Sequence, residues 1–285
     1  MLLLRIALGV ALGYAIVVLL AWLFQERLAF PAPRAPVPDP QRLGIAHGER
    51  VELVSTDGTR LVGWYLNPRA AALDHPRPPS TAPAVLWFYG NGENIAGIWP
   101  ILRDFQPPGT GLLVVDYPGY GGSEGRASEA GLYAAADAAY AALAGRPDVD
   151  ARHIYVYGRS LGTALASYIA ARHPVAGLIL ESPFTSAAAM ARHLYPFLPR
   201  VGLRLSLDNV ANVKLVRCPV LLLHGTADRL APTAMGMAVA AAAGGGGGGG
   251  PVEVVLIHGS GHNDTYAVGG REYRDKLWAF VTRGS

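Results

Sequence analysis

Gly158-Arg159-Ser160-Leu161-Gly162 is the stretch on which the fold turns. Before it, His153–Tyr157 is a β-branched and aromatic run that reads as a buried strand. After it, Thr163–Ala170 reads as a helix. Ser160 therefore sits on a sharp strand-to-helix turn, the context of a G-x-S-x-G nucleophile elbow. Such a turn strains the serine backbone and lifts Oγ clear of the sheet. Only small residues fit two positions to either side, which accounts for Gly158 and Gly162.

An activated serine needs a base, and the base needs an orienting carboxylate. In an elbow of this kind they follow in the order Ser, Asp or Glu, His. Pro219–His224 reads as a strand, and Asp228 falls on the loop just past its end. Loops at such strand ends are where catalytic groups gather in open α/β sheets. Val252–His258 reads as the last strand, followed by Gly259-Ser260-Gly261-His262-Asn263-Asp264. His262, in a glycine-rich loop, is the favoured base. His258 is its rival, expected to be held in the sheet at the end of an apolar strand. Glu181, after Ala176–Leu180, is the alternative acid, and its plainer reading is a hydrogen-bonded strand-end carboxylate. His224 reads as structural and Asp264 as a capping or solvated loop residue.

A tetrahedral oxyanion would need preorganised donors. The amide of Leu161, next to the serine, supplies one. The second is expected from the loop after Ala84–Tyr89, where Asn91 is the first choice and Gly92 the second. Asn91-Gly92 is also an ordinary turn dipeptide, and the two roles are compatible.

Glycine-flanked Asn91, Asp116–Gly125, Tyr157–Gly162, Glu181–Thr185, His224–Asp228 and Gly261–Asn263 follow one another in a set order. This ordered set resembles the α/β-hydrolases, and within them the membrane-anchored ABHD/Bem-type branch of serine hydrolases. The resemblance spans roughly residues 22–282. It implies Ser160 as nucleophile, Asp228 as acid and His262 as base. It also implies lipid-ester or acyl-thioester substrates. Tyr89 departs from the pattern, standing where this branch usually has a histidine.

The bulk properties agree with a single large domain. Hydrophobic residues make up 51% of 285, enough for a sheet covered on two faces. Net charge is only +3 and no basic run exists, so nucleic acid is not an expected partner. Lone Cys218, before Pro219, excludes an intrachain disulfide and reads as a structural thiol. The histidines lack metal-ligand spacing, and neither a metal nor an organic cofactor is expected.

Ile6–Phe24 carries no charge and is long enough to span a bilayer as a helix. No A-x-A-like cleavage site follows, so an uncleaved single-pass anchor is favoured over a cleaved signal peptide or a docking helix. Arg5 on one side and Arg27, Arg34 and Arg42 on the other leave the orientation open. Residues 1–30 are thus assigned to the anchor, 31–48 to a stiff Pro-rich linker, and 49–285 to the hydrolase-type domain. Within the domain, Val51–Ser55 and Leu61–Tyr65 read as a hairpin, and 67–83 as a polar loop. Strands then alternate with helices over 84–180 and 219–282, which implies a mostly parallel sheet with helices on both faces. The interruption at 184–216 is apolar and could form a cap over Ser160. Glycines 244–250 read as a flexible loop, because a phosphate cradle would require Lys and Ser or Thr where Pro251 stands.

The function these residues favour is a membrane-anchored serine hydrolase acting on ester or thioester bonds of lipid-like substrates. A serine peptidase and a non-catalytic tethered binding module are the alternatives. The named triad lies wholly downstream of residue 30, so a protein lacking residues 1–30 is expected to be soluble and active.

Overall fold

The computed structural model describes residues 1–68, 81–199, 202–245 and 249–282. Most of the expected 67–83 loop and the centre of the 244–250 glycine run lie outside the described residues. The expected hairpin is β1 (Gly48–Val54) and β2 (Arg60–Leu66), paired antiparallel from Gly48↔Leu66 to Val54↔Arg60. It is followed by β3 (Ala82–Phe88), β4 (Gly111–Val115), β5 (Val149–Arg159), β6 (Gly177–Glu181), β7 (Val220–Gly225) and β8 (Val252–Ile257). The eight strands form one sheet in the order β1-β2-β4-β3-β5-β6-β7-β8. From β4 to β8 every neighbouring pair is parallel.

Burial explains the sequence pattern of each strand. β6 and β7 are buried at every position, and their leucine-rich runs show no alternation because both faces are covered. Edge strand β1 alternates, with one face wet. The crossovers carry α3 (Ile95–Phe105), α4 (Glu129–Ala144), α5 (Leu161–Arg172) and α8 (Thr233–Gly244), and α9 (Thr265–Thr282) follows the last strand. Preceding them are α1 (Leu2–Leu23) and α2 (Gln25–Ala29), while α6 (Ala187–Leu194) and α7 (Asn209–Val213) lie in the apolar interruption.

Helices α3, α6 and α7 have no counterpart in the sequence reading. Gly97 and Pro100 interrupt the α3 pattern, yet the Asn94 side chain accepts the Gly97 amide at 2.9 Å and caps the helix. α6 is capped in the same way by Ser186, and α7 by Asp208. α9 carries a non-helical kink at Gly270 (φ 51°, ψ −127°).

The expected 31–48 linker, which contains a 3-10 helix at Pro40–Leu43, does not stand off as a spacer. The Gly121 amide donates to Pro33 O at 2.9 Å and Trp64 Nε1 to Pro38 O at 3.0 Å, and Phe30 and Val37 are buried. The interruption folds back over the C-terminal end of β5. Glu129 accepts the amides of Ser206 and Leu207, and buried Asn209 bonds Thr163, Ser167 and the Phe184 carbonyl.

Candidate active site

Ser160 lies between β5 and α5 with φ 49° and ψ −114°, a left-handed value that a non-glycine residue adopts only under constraint. Its neighbours must be glycine for a steric reason. A Cβ on Gly158 would lie 2.3 Å from Gly162 O, and one on Gly162 would lie 2.2 Å from Phe88 O. Ser160 is neither fully buried nor fully exposed, so its hydroxyl meets the cleft beside it.

Three strand ends bring the partners to it. Asp228 follows β7, His262 follows β8, and Asn91 follows β3. The β7 and β8 loops are stitched by main-chain bonds, from Thr226 to Ile257 at 3.0 Å and from Ala227 to Ser260 at 2.8 Å. Asp264 accepts the Gly261 amide and the Ser260 hydroxyl, which shapes the turn that carries His262. His262 Nε2 lies 2.8 Å from Ser160 Oγ, and its Nδ1 lies 2.7 Å from Asp228 Oδ2. The Asp228 side chain is fully buried, and its Oδ1 accepts the amides of Leu230 and Ala231 at 2.9 Å each. Burial pushes this carboxyl up, but hydrogen bonds from His224 and His262 outweigh it and hold the group well below its ordinary value. Asp228 therefore stays ionised, fixes the imidazole, and favours the charged ring that forms when Nε2 takes a proton.

His224 contributes more than packing. It is fully buried, its Nε2 bonds Ala231 O at 2.8 Å, and the same nitrogen lies 3.3 Å from Asp228 Oδ2. Those acceptors place its proton on Nε2. His258 is not held in the sheet as expected. β8 ends at Ile257, and His258 is an exposed turn residue. Glu181 is a structural carboxylate, buried and hydrogen-bonded by Tyr157, Tyr273 (2.5 Å) and Thr265.

The sequence reading overlooked Arg159. Its side chain pairs with Glu93 and lies 3.3 Å from Glu181. Its second terminal nitrogen donates to His262 O at 3.0 Å and to Asn263 Oδ1 at 2.9 Å. Glu93 in turn accepts the Gly90 amide at 2.6 Å. One guanidinium thus ties the elbow, the β3 loop and the His262 loop together. Its only sequence signal is its place between Gly158 and Ser160.

Asn91, Ser160 and Leu161 line the same cleft. Leu161 opens α5, where a helix amide lacks an intrahelical acceptor. The Asn91 side chain is held by Ala29 O and Tyr120 Oη, both at 2.6 Å. Tyr89, the residue departing from the family pattern, braces this loop. Its hydroxyl donates to Asp116 at 3.0 Å and accepts the Tyr117 amide at 3.1 Å. Through Ala29 the N-terminal segment touches the Asn91 loop, although the triad itself lies wholly downstream of residue 30. Among the described residues, no cluster of three His, Cys, Asp or Glu side chains is arranged to hold a metal ion.

Comparison with known proteins agrees with this architecture. The family model described as alpha/beta hydrolase fold matches residues 83–204. Uncharacterized protein Rv2307c of Mycobacterium tuberculosis (strain ATCC 25618 / H37Rv) is 36% identical over 276 residues, covering 96% of this chain and 92% of that protein. Alpha/beta hydrolase domain-containing protein WAV2 of Arabidopsis thaliana is 33% identical, covering 88% of this chain and 85% of its own. Among solved structures, the Pyrococcus furiosus esterase Pf2001 superposes with a TM-score of 0.70 at 18% identity, over 88% of this chain and 97% of the esterase. That last likeness concerns the fold alone. With an eight-stranded sheet of this order and relatives matched almost end to end, the chain belongs to the alpha/beta hydrolase family.

Proposed function

We propose that the chain is a membrane-anchored serine hydrolase that cleaves carboxylic ester or thioester bonds of acyl, lipid-like substrates. The observation that carries this reading is the hydrogen-bond chain Ser160 Oγ–His262 Nε2–His262 Nδ1–Asp228 Oδ2, at 2.8 and 2.7 Å, opening into an apolar cleft. Ser160 Oγ attacks the carbonyl carbon as His262 Nε2 takes its proton. The amides of Leu161 and Asn91 receive the oxyanion. His262 then protonates the departing alcohol or thiol, leaving an acyl-enzyme. Water, deprotonated by the same nitrogen, attacks the acyl carbon and releases the acid.

The anchor reading rests on α1. It is 22 residues long, its most apolar window has a mean hydropathy of 2.5, and none of that window is buried. At about 1.5 Å per residue it matches the hydrocarbon thickness of a bilayer. A core helix would be covered by the domain. In this reading residues 1–30 are the anchor, 31–48 the link, and 49–285 the catalytic domain, with 184–216 as a cap over Ser160.

The test is turnover of p-nitrophenyl esters by the full chain and by Ser160→Ala. The reading requires turnover in the first and none above background in the second. Equal turnover in both refutes it. A chain that turns over no ester but binds acyl ligands is a tethered binding module instead.

A further inference from the structure

The cleft that reaches Ser160 encloses about 670 Å³, within the range of small-molecule sites. One of its walls is the N-terminal segment. Val18, Ala21, Trp22 and Leu28 line it together with Phe184 and Met190. The polar residues on this lining are largely spoken for. Gln25 is buried, accepts the Arg204 amide at 2.7 Å, and donates to the carbonyls of Trp22 and Gly202. The Asn91 side chain is held by Ala29 and Tyr120. Arg192 is exposed.

The segment is fastened from Tyr14 to Ala29. Tyr14 Oη donates to Phe197 O at 2.7 Å, and Arg204 bonds Trp22 O at 3.2 Å while its guanidinium sits 5.1 Å from the Trp22 ring. At the other end, Ala29 O holds the Asn91 loop. Between Ala29 and Val18 the two helical segments, broken at Phe24, rise by at most roughly 16 Å. The result is a largely apolar passage lined both by Ser160 and by residues of α1 and α2.

We propose that this passage holds the acyl chain of the substrate, so that α1 is a wall of the acyl-binding site as well as an anchor. A linear hydrocarbon with its carbonyl at Ser160 suits a mostly apolar lining in which Gln25 and the Asn91 side chain are already bonded and Arg192 is exposed to solvent. This deepens the serine-hydrolase reading and rests on it.

The experiment uses the full chain in phosphatidylcholine vesicles, with p-nitrophenyl esters from acetate to laurate. In the wild-type protein kcat/KM rises by roughly fourfold per buried methylene until the passage is full. Ala21→Trp fills the passage and lowers the laurate-to-acetate ratio at least about tenfold. Val18→Trp, one turn farther from the Asn91 loop, sets the cut-off at a longer chain. Ala11→Trp, on α1 but outside the cleft, keeps the wild-type ratio. A flat wild-type profile, or an Ala21→Trp and a Val18→Trp profile both identical to wild type, overturns the inference. Labelling by a fluorophosphonate separates the two failures. If Ser160 is labelled while the profile is flat, only the acyl-wall inference falls. If wild-type Ser160 is not labelled, the serine-hydrolase reading falls and takes this one with it.

Discussion

Replacing Arg159 by methionine removes the guanidinium while keeping most of the side chain's length. The Arg159 side chain is 14% exposed, and its partners Glu181 and Glu93 are 3% and 27% exposed, so solvent screens the pairs little. Removing one partner from a buried ion pair costs about 3–5 kcal/mol, because the remaining carboxylate is left uncompensated. In a domain of this size that lowers Tm by on the order of 10 °C. The second effect is on the base. The bonds to His262 O and Asn263 Oδ1 disappear, and they brace the turn that brings His262 within 2.8 Å of Ser160. A misplacement of about 1 Å costs roughly a hundredfold in rate. Thermal unfolding and ester turnover report the two effects separately. Arg159→Lys restores a positive charge but not the planar fork. It should recover much of the Tm and little of kcat, with KM unchanged. An Arg159→Met protein with wild-type Tm and kcat would refute the strut.

Three further outcomes follow from the geometry. His262→Ala lowers kcat by roughly five orders of magnitude or more, whereas exposed His258→Ala changes it by no more than about twofold; equal losses would mean the base is misassigned. Asp228 has a lowered folded-state pKa, so its stabilisation is present above its ordinary value of 3.8 and fades as pH falls through the lowered one. Asp228→Asn lacks that titration, so the Tm gap between wild type and variant should shrink on acidification below about pH 4; a gap that widens there would reverse the sign of the linkage. Gly162→Ala drives a methyl to 2.2 Å from the Phe88 carbonyl, which is main chain and cannot step aside. It should cost about 3 kcal/mol or more, read as lost soluble yield and a lowered Tm, and a variant as stable as wild type would contradict the packing of the elbow.

What was legible in the sequence is what local rules control. The strands around Ser160 announce themselves as apolar runs ended by glycine, and the glycines flanking the serine have a steric cause that the structure repeats. Asp228 and His262 were readable because each follows such a run and a loop short enough to fix its position. Arg159, Glu93 and His224 were not. Their roles depend on partners between 3 and 104 residues away, and no spacing rule brings those together. The same limit applies to α1. Its apolar length was plain, but the bonds of Tyr14 in α1 to Phe197 O, and of Gln25 and Ala29 in α2 to Gly202 and Asn91, join residues far apart in sequence. Helices α6 and α7 were hidden because short capped helices carry too few turns to show a period, and α3 because Gly97 and Pro100 interrupt its pattern.

The central claim is that Ser160 is a nucleophile activated by His262. Its most direct test is mass spectrometry of the full-length protein after treatment with a fluorophosphonate. The account predicts one adduct, on the peptide carrying Ser160, formed in the wild type and lost in His262→Ala and in Ser160→Ala. An adduct on another residue, or labelling of Ser160 that is undiminished without His262, would contradict it.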